Sequence, residues 1–194
     1  GTFKTPRNYD FSKKVRILYI VGPHFEYPHK NFLDFTRAML ELKKLHVDFE
    51  INVTLTSEQL NKSSLWDNSL NSCTHFHGYI TDSEQMESLF CDNTILISTS
   101  VVETLGLHVV EGIKNGVITV APDEDYSHAV YGEKMFNYEL FNKDSLATVV
   151  MSIINYKMSH QEKILSIQDD LMINEKRKFR NIIDVFNEVI HVQK

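Results

Sequence analysis

The sequence is short of nearly every residue that marks a specialised scaffold. Cys73 and Cys91 are the only cysteines in 194 residues. That excludes a disulfide framework, and with neither in a CxxC pair it also excludes a zinc ribbon; a reducing, cytoplasmic setting fits best. Seven glycines and four prolines are too few for a fibrous or low-complexity chain. No apolar run is long enough to span a bilayer, and the opening GTFKTPRNYD lacks the basic and apolar regions of a signal peptide. No GxGxxG follows the first apolar run, which counts against a dinucleotide oxidoreductase. The nine histidines form no HxxxH-like cluster. Cationic excess is missing too: 20 Lys and Arg face 26 Asp and Glu, a net charge of -6. This argues against a nucleic-acid partner while leaving room for one small phosphorylated ligand in a local basic pocket.

What is present describes an ordinary globular domain, with 42% hydrophobic residues and length enough for one sizeable core. Residues 1–12 read as an irregular leader or linker, and 13–194 as a single domain. A start at Gly rather than Met is expected of a piece excised from a longer protein. Val15–Val21 is a near-continuous apolar run of strand length, ended by Gly22-Pro23. Phe32, Phe35, Ala38, Met39, Leu42 and Leu45 recur at helical spacing over residues 31–45, and Phe49–Leu55 reads as the next strand, completing a βαβ unit. Short helical fragments are expected over 57–71, with Trp66 as an anchor. A strand at Thr74–Ile80 follows, then a helix opened by Ser83 and ending by Phe90.

The next unit is strand Thr94–Ser98, a polar turn, a helix from near Gly106 to Asn115-Gly116, and strand Val117–Ala121. Beyond Pro122, DEDYSHAVYGE reads as an acidic, aromatic loop leading to an edge strand around Met135–Phe141. Asp144-Ser145 opens a helix, and a final amphipathic helix runs from Glu175 with Phe179, Ile182, Ile183, Phe186, Val189 and Ile190 on one face. Strands alternating with helices predict an α/β fold, a three-layer, Rossmann-like, doubly wound parallel sheet whose ligands bind at the carboxyl ends of the strands.

The segment from Ser98 to Pro122 carries the chemistry. A helix N-terminus there presents unpaired N–H groups and a partial positive charge to a phosphate, and Gly106 permits close backbone approach. Glu103 precedes this helix and Glu111 lies within its first two turns. A carboxylate suits a vicinal diol, so carboxylates flanking an amide cluster could hold sugar hydroxyls on both sides of a phosphate. Two solvated surface glutamates are the plainer reading of such a pair, and the context argues against it.

ETLGLHVVEG followed by NGVITVAP resembles the paired-glutamate motif of retaining glycosyltransferases of GT-B architecture. VGPHFEYPHKN is similar to the first strand and loop of their donor-binding domain, and FHGYI to the strand before the base-binding segment. The resemblance covers about Val15 to Ile154 and implies the C-terminal, donor-binding half of such an enzyme, of the group 1 or family 4 kind. It implies that Glu103 lies beside the transferred sugar and that Lys30 neutralises the diphosphate, these two forming the catalytic set. It further implies that Glu111 binds the ribose and that the backbone of Leu105, Gly106 and Leu107 meets the diphosphate. Gly22 would close the first loop, and Tyr79 and Ile80 would border the base. No metal or other cofactor is implied; the nucleotide-diphosphate sugar is a substrate.

The implied partners are an N-terminal acceptor-binding domain in the intact protein and a glycan or glycoconjugate acceptor, as in polysaccharide biosynthesis. Transfer would retain anomeric configuration, and the isolated domain would bind donor without turning over. In one respect the chain departs from the pattern. Pro23 stands where the family has an Arg, so one diphosphate cation is missing, with His24, His29 and Arg16 as candidate replacements. That departure keeps open a catalytically degenerate nucleotide-sugar-binding module within a larger protein; a sugar-nucleotide epimerase of related architecture is the other alternative.

The remaining candidates favour structural roles. His75 and His77 share a strand face without a third ligand nearby. His108 lies on the central helix beside the expected phosphate site, where a surface position is favoured over a supporting contact to that site, and Asp123-Glu124-Asp125 is expected in a loop rather than on a metal. Lys176-Arg177-Lys178 is a short basic cluster of the solvated kind, with peripheral contact at the inner membrane face as its alternative role in the full-length protein.

Overall fold

The computed structural model describes residues 2–103 and 105–192, with side chains described through Ile183. Six parallel strands form one sheet: β1 (Val15–Tyr19), β2 (Phe49–Val53), β3 (Thr74–Phe76), β4 (Thr94–Ile97), β5 (Ile118–Pro122) and β6 (Phe136–Tyr138). Their spatial order is β3-β2-β1-β4-β5-β6. All five pairings are parallel, with Ile17 opposite both Ile51 and Ile95 in register. The order reverses between β1 and β4, which makes the carboxyl ends of these two strands the topological switch point. The expected doubly wound architecture is therefore present.

Among the described residues seven α-helices accompany the sheet: α1 (Phe32–Lys44), α2 (Ser57–Lys62), α3 (Ser83–Ser88), α4 (Leu107–Lys114), α5 (Asp125–Tyr131), α6 (Ser145–Ile154) and α7 (His160–Val192). The main core joins α1 and α6 to one sheet face through Phe32, Phe35, Met39, Leu42, Ile17, Ile51, Ile95, Val150 and Ile153. On α1 the buried residues from Phe32 to Leu42 follow the predicted helical spacing, because only that face can leave water while Arg37, Lys43 and Lys44 stay wet; Leu45, expected on the same face, is the C-cap and is exposed. Trp66 is buried and stacks 6.0 Å from Phe32. Leu18, Leu96 and Val117 form a smaller cluster with Leu89 and Phe90 after α3, and a third cluster joins α4, α5 and α7. Gly112 is required where α4 crosses the sheet: a Cβ there would lie 2.5 Å from Leu96 Cδ2 and 2.9 Å from Thr119 Cγ2.

Several sequence expectations need correction. Residues 125–131 form α5, not part of a loop. The acidic start and the aromatic residues obscured a short helix whose inward positions are Ser127 and Tyr131 and which stops at Gly132, where φ is 100°. The last helix starts at His160 rather than Glu175. Its first half buries Ile164, Ile167 and Leu171 together with Gln168, whose amide donates to Lys4 O and Ile113 O at 2.9 Å each; a glutamine on the buried face hides the period. Asp82, not Ser83, caps α3 by accepting from Glu84 N–H at 3.0 Å. The strands also stop earlier than the apolar runs, since residues past Tyr19, Val53, Phe76 and Ile97 turn into loops.

Residues before β1 have no regular structure yet are held closely. Lys4 N–H and Arg7 N–H donate to Lys114 O and Gly116 O at 2.7 and 2.8 Å. The Tyr9 hydroxyl donates to Thr94 O and accepts from Ile118 N–H, both at 2.7 Å, tying β4 to β5. On α7, Phe179, Ile182 and Ile183 are exposed alongside Lys176, Arg177 and Lys178; the expectation for Phe186, Val189 and Ile190 falls on side chains outside the described residues. No helix among the described residues is long and apolar enough to cross a membrane.

Candidate functional site

A cleft of roughly 210 Å³ opens at the switch point. Tyr19 to Gly22 line it from the end of β1, Ser98 to Ser100 from the end of β4, and Thr54 from the end of β2. Lys30 enters from a single 3₁₀ turn, Pro28–Lys30, and His108 from the first turn of α4. Tyr79, Ile80 and Met86 complete it. Hydroxyl-bearing residues end β4 in place of the apolar ones before them, and Ser98, Thr99 and Ser100 are nevertheless all buried. Buried hydroxyls need partners, and these residues find them across the cleft.

The Tyr19 and Thr99 hydroxyls bond at 2.7 Å, and Thr99 donates to Lys30 O at 2.7 Å. Val101 N–H donates to His29 O at 2.8 Å. These bonds stitch the loop after β4 to the 3₁₀ turn and fix the approach of Lys30 to Glu103. The Lys30 ammonium donates to Glu103 Oε1 at 2.8 Å, and Ser100 Oγ donates to the same oxygen at 2.8 Å. Burial raises the Glu103 pKa, but the bonds from Lys30 and Ser100 outweigh it and hold the carboxyl below its usual range. The Tyr126 hydroxyl of α5 donates to Ser100 O, steadying the loop from beneath.

Gly106 caps α4 with φ 51° in the left-handed region. A Cβ there would lie 1.7 Å from the Tyr131 hydroxyl, so glycine is needed for both space and backbone. Among the described residues, no cap side chain bonds to the first N–H groups of α4.

His108 takes the less favoured of its two expected positions. It lines the cleft instead of the surface, with Nε2 3.1 Å from Ser98 Oγ. Burial pushes its imidazole down to about 4; Glu103 opposes that shift and Lys30 adds to it. The signal available in the sequence was the run Ser98-Thr99-Ser100 before a helix start, which demands polar partners once buried.

Of the expected site residues, the structure brings together Lys30 and Glu103 and sets Gly22, Tyr79 and Ile80 on the cleft wall. Leu105 and Leu107 flank Gly106 with exposed side chains. Glu111 is exposed on the second turn of α4, and its carboxylate has no hydrogen bond or ion pair among the described residues. Arg16 is committed to Glu50 on the β1–β2 pair, and His24 stacks on Tyr27 at 5.0 Å. Neither they nor His29 are among the cleft-lining residues, so Lys30 is the one Lys or Arg there among the described residues. Asp123 pairs with His128 Nε2 at 2.7 Å, while Glu124 and Asp125 begin α5. Among the described residues no group of three or more His, Cys, Asp or Glu side chains could hold a metal ion.

No family model and no curated protein matches the chain. Solved structures do. A glycosyltransferase from Rickettsia africae ESF-5 superposes with a TM-score of 0.70 at 19% identity, over 92% of this chain and 48% of its own. The trehalose-6-phosphate synthase OtsA gives 0.68 at 11% identity, over 90% and 43% respectively. The fold is that of one half of a GT-B glycosyltransferase. A UDP-forming α,α-trehalose-phosphate synthase from Burkholderia xenovorans, in complex with glucose-6-phosphate, matches the same GT-B half at a TM-score of 0.64 and 8% identity, over 86% of this chain and 41% of its own. The chain thus spans less than half the length of each of these proteins.

Proposed function

We propose that the chain is the donor-binding half of a retaining glycosyltransferase and that the cleft at the β1–β4 switch point receives a nucleotide-diphosphate sugar. One observation carries this reading: Lys30 and Glu103, 73 residues apart, meet at 2.8 Å on the cleft beside a helix start capped by Gly106. A surface lysine and a surface glutamate have no reason to be held so closely by a network of buried hydroxyls. The UDP-forming activity of a structural neighbour supports a nucleotide donor.

On this reading the diphosphate lies against the N–H groups at the start of α4, with Lys30 moving from Glu103 toward it. Glu103, released, accepts hydrogen bonds from the transferred sugar, and exposed Glu111 meets the ribose. The nucleobase rests against Tyr79 and Ile80. Catalysis would come from orienting the donor and stabilising the departing diphosphate, with no metal required. Turnover needs the acceptor side of a second domain, so the chain alone binds without transferring. Titration calorimetry with UDP, GDP and dTDP sugars tests this. Binding that Lys30→Ala and Glu103→Ala both weaken is expected, and silence across the panel at millimolar ligand overturns it.

The absence of a cation at Pro23 favours one second reading, a module that binds nucleotide sugar without catalysis. Unchanged transfer by the full-length protein carrying Glu103→Ala would support that module.

A further inference from the structure

The cleft meets an anionic ligand with unusually little positive charge. Lys30 is its one lysine or arginine among the described residues, and Glu103 neutralises it. His108 is the other basic group on the wall, and it lies on the first turn of α4, beside Gly106. Its Nε2 is fixed by Ser98 Oγ at 3.1 Å, and Nδ1 has no hydrogen-bond partner among the described residues.

We infer that His108 supplies the second positive charge at the diphosphate, taking up a proton from solvent as the nucleotide sugar binds. The inference rests on the donor-site reading above. It assigns the compensation for Pro23 to a residue 85 positions along the chain, on a different element from the loop that lost the cation.

The physical argument concerns what faces the imidazole. The charged groups acting on His108 are the Lys30 ammonium and the Glu103 carboxylate paired to it, and the phenols of Tyr19 and Tyr79 share the cleft wall. The start of α4 adds a partial positive charge. Burial and Lys30 therefore keep the ring neutral, down to about 4, against the pull of Glu103. A diphosphate seated at the same helix start brings two negative charges close to the ring. Opposite charge favours the protonated form, so the balance reverses within the complex. Ser98 Oγ can rotate to accept from the imidazolium, since a hydroxyl both donates and accepts. Free protein binds no proton at His108 near neutrality, and the complex binds one; affinity must then rise as pH falls.

The test is calorimetric titration of the chain with UDP-glucose, GDP-mannose and dTDP-glucose between about pH 6 and 8, in paired buffers of different ionisation enthalpy. Sugar nucleotides are the right probes because their doubly esterified diphosphate does not itself titrate near neutrality. The expected result is uptake approaching one proton per complex at the acid end. Affinity should strengthen as pH is lowered, with a slope approaching about tenfold per pH unit where uptake approaches one proton. His108→Gln keeps a hydrogen bond but cannot ionise, so its complex should form without proton uptake and with flat pH dependence. The wild-type measurement stands even if that variant folds poorly, and nitrogen-15 shifts of the His108 ring give an independent readout. Binding without proton uptake, or uptake that persists in His108→Gln, overturns the inference while leaving the donor site intact. Failure of every sugar nucleotide to bind overturns the donor site and this inference with it.

Discussion

Replacing Gly106 by alanine is the most direct test of how the start of α4 is built. An alanine must hold φ near 51°, a left-handed conformation costing about 1–2 kcal/mol for a residue with a Cβ. The new methyl also meets the Tyr131 ring edge-on, at 1.7 Å from the hydroxyl, 2.7 Å from Cζ and 3.1 Å from Cε1. Tyr131 cannot simply swing away, because it is 1% exposed and packed among Val109, Ile113, Ile167 and Leu171. Forcing a methyl into such packing costs about 1–3 kcal/mol, so Gly106→Ala should destabilise by about 2–5 kcal/mol in urea unfolding. The partner variant separates the two contributions. The Tyr131 hydroxyl is buried with no hydrogen-bond partner among the described residues, so Tyr131→Phe should be neutral or stabilising by about 1 kcal/mol. With the hydroxyl gone, the worst contact goes but the ring carbons still crowd, so the double variant should regain part of the loss, a coupling of about 1 kcal/mol. A Gly106→Ala protein within about 0.5 kcal/mol of wild type, or a loss indifferent to Tyr131→Phe, would refute this account of the cap.

Other expectations concern the same region. The His108 pKa is depressed on folding from 6.5 to about 4, so the unfolded chain binds more protons between those values. Stability should therefore fall as pH drops through that window, by about 3 kcal/mol in total, and urea unfolding of His108→Gln should show a flatter profile there. Glu103 is depressed as well; its contribution is present above the unfolded carboxylate pKa and lost as pH falls through the lower folded one. Glu103→Gln should lose less stability than wild type on acidification below about pH 4. Tyr126→Phe removes the bond to Ser100 O and should weaken nucleotide-sugar binding more than it lowers stability, whose loss should be about 1 kcal/mol; equal stability and unchanged affinity would remove Tyr126 from the support of the loop. Tyr9→Phe breaks the two bonds joining β4 and β5 and should cost about 1–3 kcal/mol in thermal or urea unfolding with donor affinity unchanged.

Much of the scaffold is legible in the chain because strands buried on both faces must be apolar at nearly every position. Val15–Tyr19 and Thr94–Ile97 stand out for that reason, and the period of α1 is equally plain. The helix at 125–131 is not legible, because its buried face consists of a serine and a tyrosine amid acidic neighbours. The first half of α7 is hidden by Gln168, which is buried only because two carbonyls distant in sequence, at residues 4 and 113, await its amide. The same limit applies at the cleft. Lys30 and Glu103 could be named from the motifs around them, but their pairing depends on Tyr19, Thr99 and Ser100 folding across the switch point. His108 looks like a surface residue when only its own helix is considered; Ser98, ten residues earlier on another element, is what draws it inward.

The pairing of Lys30 with Glu103 also bears on how a ligand arrives. A cleft whose lysine is already matched by a carboxylate has almost no field reaching into solvent, and the chain as a whole carries a net charge of -6. On the donor-site reading an anionic ligand is then not drawn in from a distance; the net negative charge opposes its approach, so its encounter rate should be modest and should rise with added salt as that repulsion is screened. On that reading, attraction would begin at contact, when the Lys30 ammonium changes partner. As a donor site, such a cleft would select among anions by fit at the helix start and not by charge at long range.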